Sequence, residues 1–60
     1  MVLYIEDDEY GVLYLAPLGE GWYVGLEEDY PSYYLLRERK RIIKVTRTMP
    51  DHVWKCLMKD

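Results

Sequence analysis

Short apolar runs separated by turn residues and acidic clusters fill the first half of the chain. Residues 2–5 combine β-branched and aromatic side chains and predict a first strand, which stops at the acids of residues 6–9 because adjacent like charges pair poorly in a sheet. Residues 11–16 predict a second strand, and its two apolar faces indicate a central position. Residues 17–21 contain one Pro and two Gly and predict a loop, and residues 22–26 predict a third strand. Gly25 inside this third strand indicates a bulge or a close approach of the backbone.

The second half of the chain allows two interpretations up to residue 41. Residues 33–36 form a strand in the preferred one, with a charged hairpin loop at 37–41, whereas the good helix formers across 31–41 would also allow a helix of two to three turns. Residues 42–46 are β-branched and predict another strand, with Ile43 and Val45 inward and Lys44 and Thr46 outward.

The last residues predict a short helix. Thr48 fits the capping residue, Pro50 the first turn and Asp51 the third position of a capping box. An apolar stripe then recurs at helical spacing, and its members are Val53, Trp54, Leu57 and Met58. We expect this helix to dock over an open end or edge of the sheet.

These elements predict a mainly β protein: a small, strongly bent antiparallel sheet or partly open barrel of four to five strands with a C-terminal helix, in the size range of SH3-like folds. The alternative is an α+β meander with a helix at 31–41. Sixty residues suffice for a single domain, 1–60, with no room for a deep substrate cavity. Either the core packs efficiently or a homo-oligomer adds buried area, and the sequence favours neither.

Charge is distributed unevenly although the net charge is only −3. The first thirty residues carry eight acids and no Lys or Arg, and the last thirty carry eight bases against three acids, which gives −8 and +5. In an antiparallel sheet these sets either meet and neutralise each other or project from opposite ends. No signal peptide or membrane span fits the sequence, and a lone Cys56 suits a reducing compartment, so we expect a cytoplasmic protein without membrane contact.

Catalytic chemistry finds little support. His52 and Cys56 are four residues apart on the predicted helix, but their apolar neighbours indicate a buried structural thiol, and no third group is placed to orient the imidazole. The acids at 6–9 lack the alternate spacing and closing Glu of a calcium loop, and Gly19-Glu20-Gly21 lacks the residues of a phosphate-binding loop. We therefore expect no enzyme activity, no cofactor and no metal site.

Binding of another protein is the favoured function, because Tyr, Trp and Arg dominate interface energetics and nine Tyr and Trp exceed what so small a core needs. An acidic surface could also engage a basic partner as a charge mimic. The candidate binding residues are Glu6, Asp7, Asp8, Glu9, Tyr10, Tyr23, Tyr30 and Tyr34. Chains of this size are often accessory regulators or virus-type host-interaction factors, and we expect such a role here.

Nucleic-acid binding is the alternative. Six cations in a short stretch could neutralise phosphates, with exposed aromatic rings stacking on bases. These cations are Arg37, Arg39, Lys40, Arg41, Lys44 and Arg47. The eight acids of the first half oppose this function.

Overall fold

The computed structural model describes residues 1–38 and 41–58, and in them the chain forms five antiparallel strands and one short helix. The mainly β prediction is therefore confirmed. The strands pair in chain order and curl strongly into a half-barrel, leaving β1 and β5 as its two edges. The elements are β1 (Leu3–Asp7), β2 (Gly11–Gly19), β3 (Trp22–Gly25), β4 (Tyr33–Arg37), β5 (Arg41–Thr46) and α1 (Asp51–Met58).

The core lies on the concave face of the curled sheet. Ile5 and Leu15 from the first two strands and Tyr34 and Leu36 from the fourth are buried together there. Because side chains alternate along a strand and cross-strand partners share a face, the register assigns the remaining positions. Tyr4 with its partner Tyr14, and Val12 with Glu6, lie on the outer face.

β2 is longer than predicted. It runs through Pro17, placed by the sequence in a loop, to Gly19, and a register shift between these two residues makes Leu18 the extra residue of a bulge. A bulge tolerates Pro because it interrupts the ladder of backbone hydrogen bonds. The turn to β3 is reduced to Glu20 and Gly21, both at positive φ, as in the tight turns whose twist matches that of paired strands.

Residues 33–37 form a strand, so the alternative of a helix at 31–41 is wrong. The inward position predicted for Ile43 is also wrong. The register passes from Leu35 opposite Lys44 to Leu36 opposite Ile42, which makes Ile43 a bulge residue. Ile42 and Val45 pack against the core, whereas Ile43 is exposed.

α1 begins two residues later than the capping box requires. Trp54 N donates to the Pro50 carbonyl at 3.0 Å, so Pro50 is the N-cap and Asp51 the first helical residue. The Thr48 backbone N–H donates instead to Thr46 Oγ1 at 3.0 Å. The proposed capping box is therefore wrong, because Thr48 belongs to the turn that ends β5.

The predicted docking of the helix through its apolar stripe is wrong too. Residues 51–58 include no buried side chain, and Trp54, Leu57 and Met58 are exposed. Only the first turn is tied to the sheet, where His52 Nε2 lies 3.3 Å from the Leu18 carbonyl. The connector from β5 to α1 thus crosses to β2, and its Pro50 is buried. Within the described residues no helix has the length and hydropathy to cross a membrane.

Candidate protein-interaction surface

The direction of the strands separates the charged segments. In an antiparallel meander alternate connections lie at the same end, so the β1–β2 turn, the β3–β4 loop and the connector after β5 share one end. Seven acids belong to the first two of these connections and the strand ends beside them: Glu6, Asp7, Asp8, Glu9, Glu27, Glu28 and Asp29. We call this region the acidic end. The opposite end carries the β2–β3 turn and the β4–β5 connection.

The β1–β2 turn is organised by one of its own carboxylates. Asp7 Oδ2 accepts the backbone N–H groups of Glu9 at 2.9 Å and Tyr10 at 2.8 Å, the local hydrogen bonding for which Asp is favoured in turns. Tyr4 donates its hydroxyl to Glu6 Oε1 at 2.6 Å, and that hydrogen bond is the main cause that raises the pKa of Tyr4. β1 includes Glu6 and Asp7, so the predicted acidic loop is confined to a short turn. Asp8 and Glu9 project from it as exposed acids.

The β3–β4 loop is held by a tyrosine and a glycine. Tyr34 donates its hydroxyl to Glu28 Oε2 at 2.9 Å, and a Cβ at Gly25 would overlap that carboxylate. The glycine predicted a bulge or a close backbone approach, whereas the group that comes close to it is the side-chain carboxylate of Glu28. Burial, followed by the hydrogen bond to Glu28, raises the pKa of Tyr34 to about 12. Glu27, Glu28 and Asp29 are all exposed, and Glu28 in addition accepts the hydrogen bond of Tyr34.

The two acidic segments meet through their aromatic rings. The Tyr10 ring packs edge-on against Tyr34, with 6.4 Å between ring centroids. Tyr34 in turn holds Glu28, so a continuous contact joins the β1–β2 turn to the β3–β4 loop. The acids of both segments consequently form one surface.

A shallow recess of about 370 Å³ opens at this surface, lined by Glu27, Glu28, Asp29, Tyr30 and Arg47. Tyr30 is 69% exposed, and the Arg47 guanidinium carbon lies 5.8 Å from the centre of its ring, a cation–π distance. Arg47 is the only Lys or Arg that the described residues bring to the acidic end. The recess offers an aromatic ring and exposed carboxylates to a partner.

The tyrosines predicted as surface residues have different positions. Tyr10 and Tyr30 are exposed, Tyr23 is half-buried against the core, and Tyr34 is only 3% exposed. The expected surface position of Tyr34 is wrong, because its cross-strand partners Tyr23 and Val45 face the core and it faces inward with them.

Two exposed tyrosines were missed. Tyr4 and Tyr14 stack edge-on at 5.3 Å on the outer face. The alternation along β2 places Val12 and Tyr14 together on one face, and this was the available signal. A central strand with two apolar faces predicts burial of this face, whereas Val12 and Tyr14 are exposed.

The predicted basic set is not one patch. Arg37 and Arg41 are cross-strand partners at the end opposite the acids, and Lys44 lies midway along β5. Arg47 follows the other end of that strand, about 20 Å from Arg41 at the usual rise per residue. Arg39 and Lys40 lie outside the described residues. The described members of the set are therefore divided: Arg37 and Arg41 lie at the end opposite the acids, Lys44 lies midway, and Arg47 lies at the acidic end.

His52 and Cys56, the two residues considered for catalysis, have different surroundings. His52 contacts the Leu18 carbonyl, and Cys56 is exposed on α1, so the expectation of a buried thiol is wrong. The described residues contain no group of three His, Cys, Asp or Glu side chains placed to hold a metal ion. Comparison of the chain with protein-family models, curated proteins and solved structures finds no match.

Proposed function

We propose that this protein is a non-enzymatic binding module whose acidic end engages a basic segment of another protein. The observation that carries the proposal is the recess at Tyr30 and Arg47, which joins an exposed ring to the carboxylates of Glu27 and Asp29. Interfaces gain energy from tyrosine and arginine at the centre and specificity from charges at the rim. An accessory regulator acting through such contacts requires no catalytic group.

Two kinds of acid must be distinguished in testing this surface. Asp7 and Glu28 accept hydrogen bonds that organise the turn and the loop, so their removal would disturb the fold as well as the charge. Asp8, Glu9, Glu27 and Asp29 are exposed, so their amide replacements remove charge. The Glu9→Gln amide keeps an oxygen that can accept the hydrogen bond of the Tyr10 hydroxyl.

The test uses affinity capture from an extract of the source cells, followed by titration of each captured partner. The variant carries Asp8→Asn, Glu9→Gln, Glu27→Gln and Asp29→Asn. We expect it to bind the wild-type partner at least about tenfold more weakly, since several rim charges are lost together.

A matched control carries Glu20→Gln and Glu38→Gln, which remove acids at the opposite end. It should bind like the wild type, and both proteins should give the wild-type circular dichroism spectrum. Unchanged affinity of the acidic-end variant for the same partner would overturn the proposal.

Nucleic-acid binding through the basic residues is the second candidate, and the observation in its favour is the pairing of Arg37 with Arg41 across β4 and β5. Titration of labelled DNA and RNA at two salt concentrations tests it. Arg37→Gln and Arg41→Gln should each weaken the log–log salt slope by about one if these residues contact phosphates. No binding at low salt would exclude this function.

A further inference from the structure

Two apolar surfaces of the chain are left uncovered. The first lies on the outer face of β1 and β2 and continues to the residue after β3; we call it the outer patch, and it consists of Val2, Tyr4, Val12, Tyr14 and Leu26. The second is the exposed part of the α1 stripe, formed by Trp54, Leu57 and Met58. Val12 is 55% exposed and Leu57 67% exposed, so neither surface is buried by the fold itself.

The size of the accessible surface indicates how much area lacks a cover. The protein exposes 4970 Å², whereas a compact monomer of 7.3 kDa exposes about 4,200 Å². The excess of about 800 Å² equals the area that one partner buries in a standard protein–protein interface.

α1 needs such a cover more than the sheet does. An isolated helix of eight residues is unstable in water, because helix nucleation is costly and amphipathic helices gain their stability from packing. The Pro50 carbonyl and the His52 contact fix its first turn, but Trp54 and Leu57 in the following turns are exposed.

The helix does not cover the outer patch of its own chain. Its first turn contacts Leu18 at the end of β2, and Val12 lies six residues away along that strand, a distance of about 20 Å. The exposure of both surfaces in one chain shows that they are apart.

We propose that α1 of one copy packs its stripe on the outer patch of a second copy, and that the second copy does the same in return. In such a two-fold dimer the outer patch and the stripe of each copy are both covered, through two equivalent contacts. A recess of about 90 Å³ lies at the edge of the patch, lined by Val12, Tyr14 and Leu26 together with Glu27 and Glu28, so it offers an incoming helix both apolar contact and carboxylates.

Charge supports the second copy as the occupant. Glu6 and Glu27 border the outer patch, whereas Lys55 lies on α1 next to the stripe. The incoming helix therefore brings a cation to an acidic rim.

Glu27 borders both the outer patch and the Tyr30 and Arg47 recess, so the two contacts meet there. The substitutions that test the dimer, at Val12 and Leu57, leave Tyr30, Arg47 and every acid of the acidic end in place.

The experiment measures the association state by sedimentation velocity from about 1 to 200 μM protein in the presence of a reductant, which keeps Cys56 from forming a disulfide. The wild type should be a dimer at the upper concentrations. Val12→Lys in the patch and Leu57→Lys in the stripe should each weaken dimerisation at least tenfold. Ile43→Lys is the matched control, since it places the same charge at an exposed apolar residue of β5, and it should dimerise like the wild type.

Mixing the two variants tests the reciprocal arrangement. In a mixed dimer one contact carries both substitutions and the other carries neither, so Val12→Lys and Leu57→Lys together should associate more tightly than either alone. A wild type that is monomeric at 200 μM would overturn the proposal. So would a dimer that Val12→Lys leaves intact, because the helices would then pair with each other. Circular dichroism of each variant confirms that it folds.

Discussion

At the scale of single residues, Tyr34 links the core to the acidic end. Its ring is buried with Leu15 and Leu36, while its hydroxyl donates to Glu28. Gly25 leaves the space that the carboxylate occupies. A change at any member of this set would therefore alter both the packing of the half-barrel and the position of the β3–β4 loop.

The raised pKa of Tyr34 predicts that the free energy of unfolding decreases at alkaline pH. Because the pKa is about 12 in the folded protein and about 10 in the unfolded chain, the folded state keeps its proton longer. The stabilisation that comes from this pKa difference is fully present below pH 10 and is lost as the pH rises from 10 to 12. The loss in the free energy of unfolding is about 1.4 kcal/mol at pH 11. Urea unfolding at pH 8, 9, 10 and 11 measures it.

Tyr34→Phe should lose about 1 kcal/mol at pH 8, from the hydrogen bond, and should show a shallower fall in stability towards pH 11. Tyr30→Phe, at an exposed ring, is the control and should keep the wild-type dependence. If Tyr34→Phe loses stability with pH as steeply as the wild type, another group is responsible.

The sequence could not identify which of two adjacent tyrosines faces inward. Tyr33 and Tyr34 are identical in type, and either alternation of β4 places a tyrosine in the core. Gly25 marked a crowded position, but the group beside it is the side chain of Glu28 and not the backbone that a glycine within a strand predicts.

At the scale of elements, the bulge at Ile43 decides which side chains of β5 reach the core. Alternation alone predicts Ile43 and Val45 on one face, but the extra residue places Ile42 with Val45 instead. No composition signal marks this bulge, since all three residues are β-branched and apolar. The strand itself could be predicted from sequence, whereas its register depends on contacts with β4.

A pair of alanine substitutions tests the bulge. Ile42→Ala should destabilise the protein by about 2 kcal/mol, because it removes a side chain packed against the core. Ile43→Ala should cost no more than about 0.5 kcal/mol, as for other surface substitutions. Thermal or urea unfolding gives both values, and equal losses would contradict the bulged register.

For α1 too, features that depend on local sequence were predictable and features that depend on tertiary contacts were not. Its existence and apolar stripe follow from the spacing of Trp54 and Leu57, which depends only on helical periodicity. Its start was misplaced because Thr48 has the right residue type for a cap but is engaged with Thr46. The surface against which the apolar stripe packs could not be inferred from the sequence, because the protein leaves most of the stripe exposed.

At the scale of the whole molecule, the antiparallel meander determines how charge is distributed. Counting acids and bases left open whether the two sets meet. The strand directions gather seven acids at one end, whereas the described cations of β4, β5 and the following connector are divided between the opposite end, the middle of β5 and the acidic end. The half-barrel class was predictable because short strands and tight turns are local features. The grouping of Tyr10 with Tyr34 and of Tyr30 with Arg47 depends on the curl of the sheet and was not predictable.

Crowded acids at one end predict that salt stabilises the protein. Raising NaCl from 20 to 500 mM shortens the screening length from about 20 Å to about 4 Å and weakens the repulsion among the seven carboxylates. We expect the melting temperature to rise by about 2–5 °C, as for a gain of several tenths of a kcal/mol in so small a domain. The variant with four neutralised acids should show a smaller rise, and a fall in the wild type would show that attractive pairs dominate.

The bulge in β5 also bears on aggregation. A half-barrel has two edge strands with free backbone groups, and such edges can recruit further chains into an extended sheet. β5 interrupts its own ladder at Ile43, and β1 ends in the charged residues Glu6 and Asp7. A bulge and charged residues in the edge strands are features that disfavour edge-to-edge pairing of sheets.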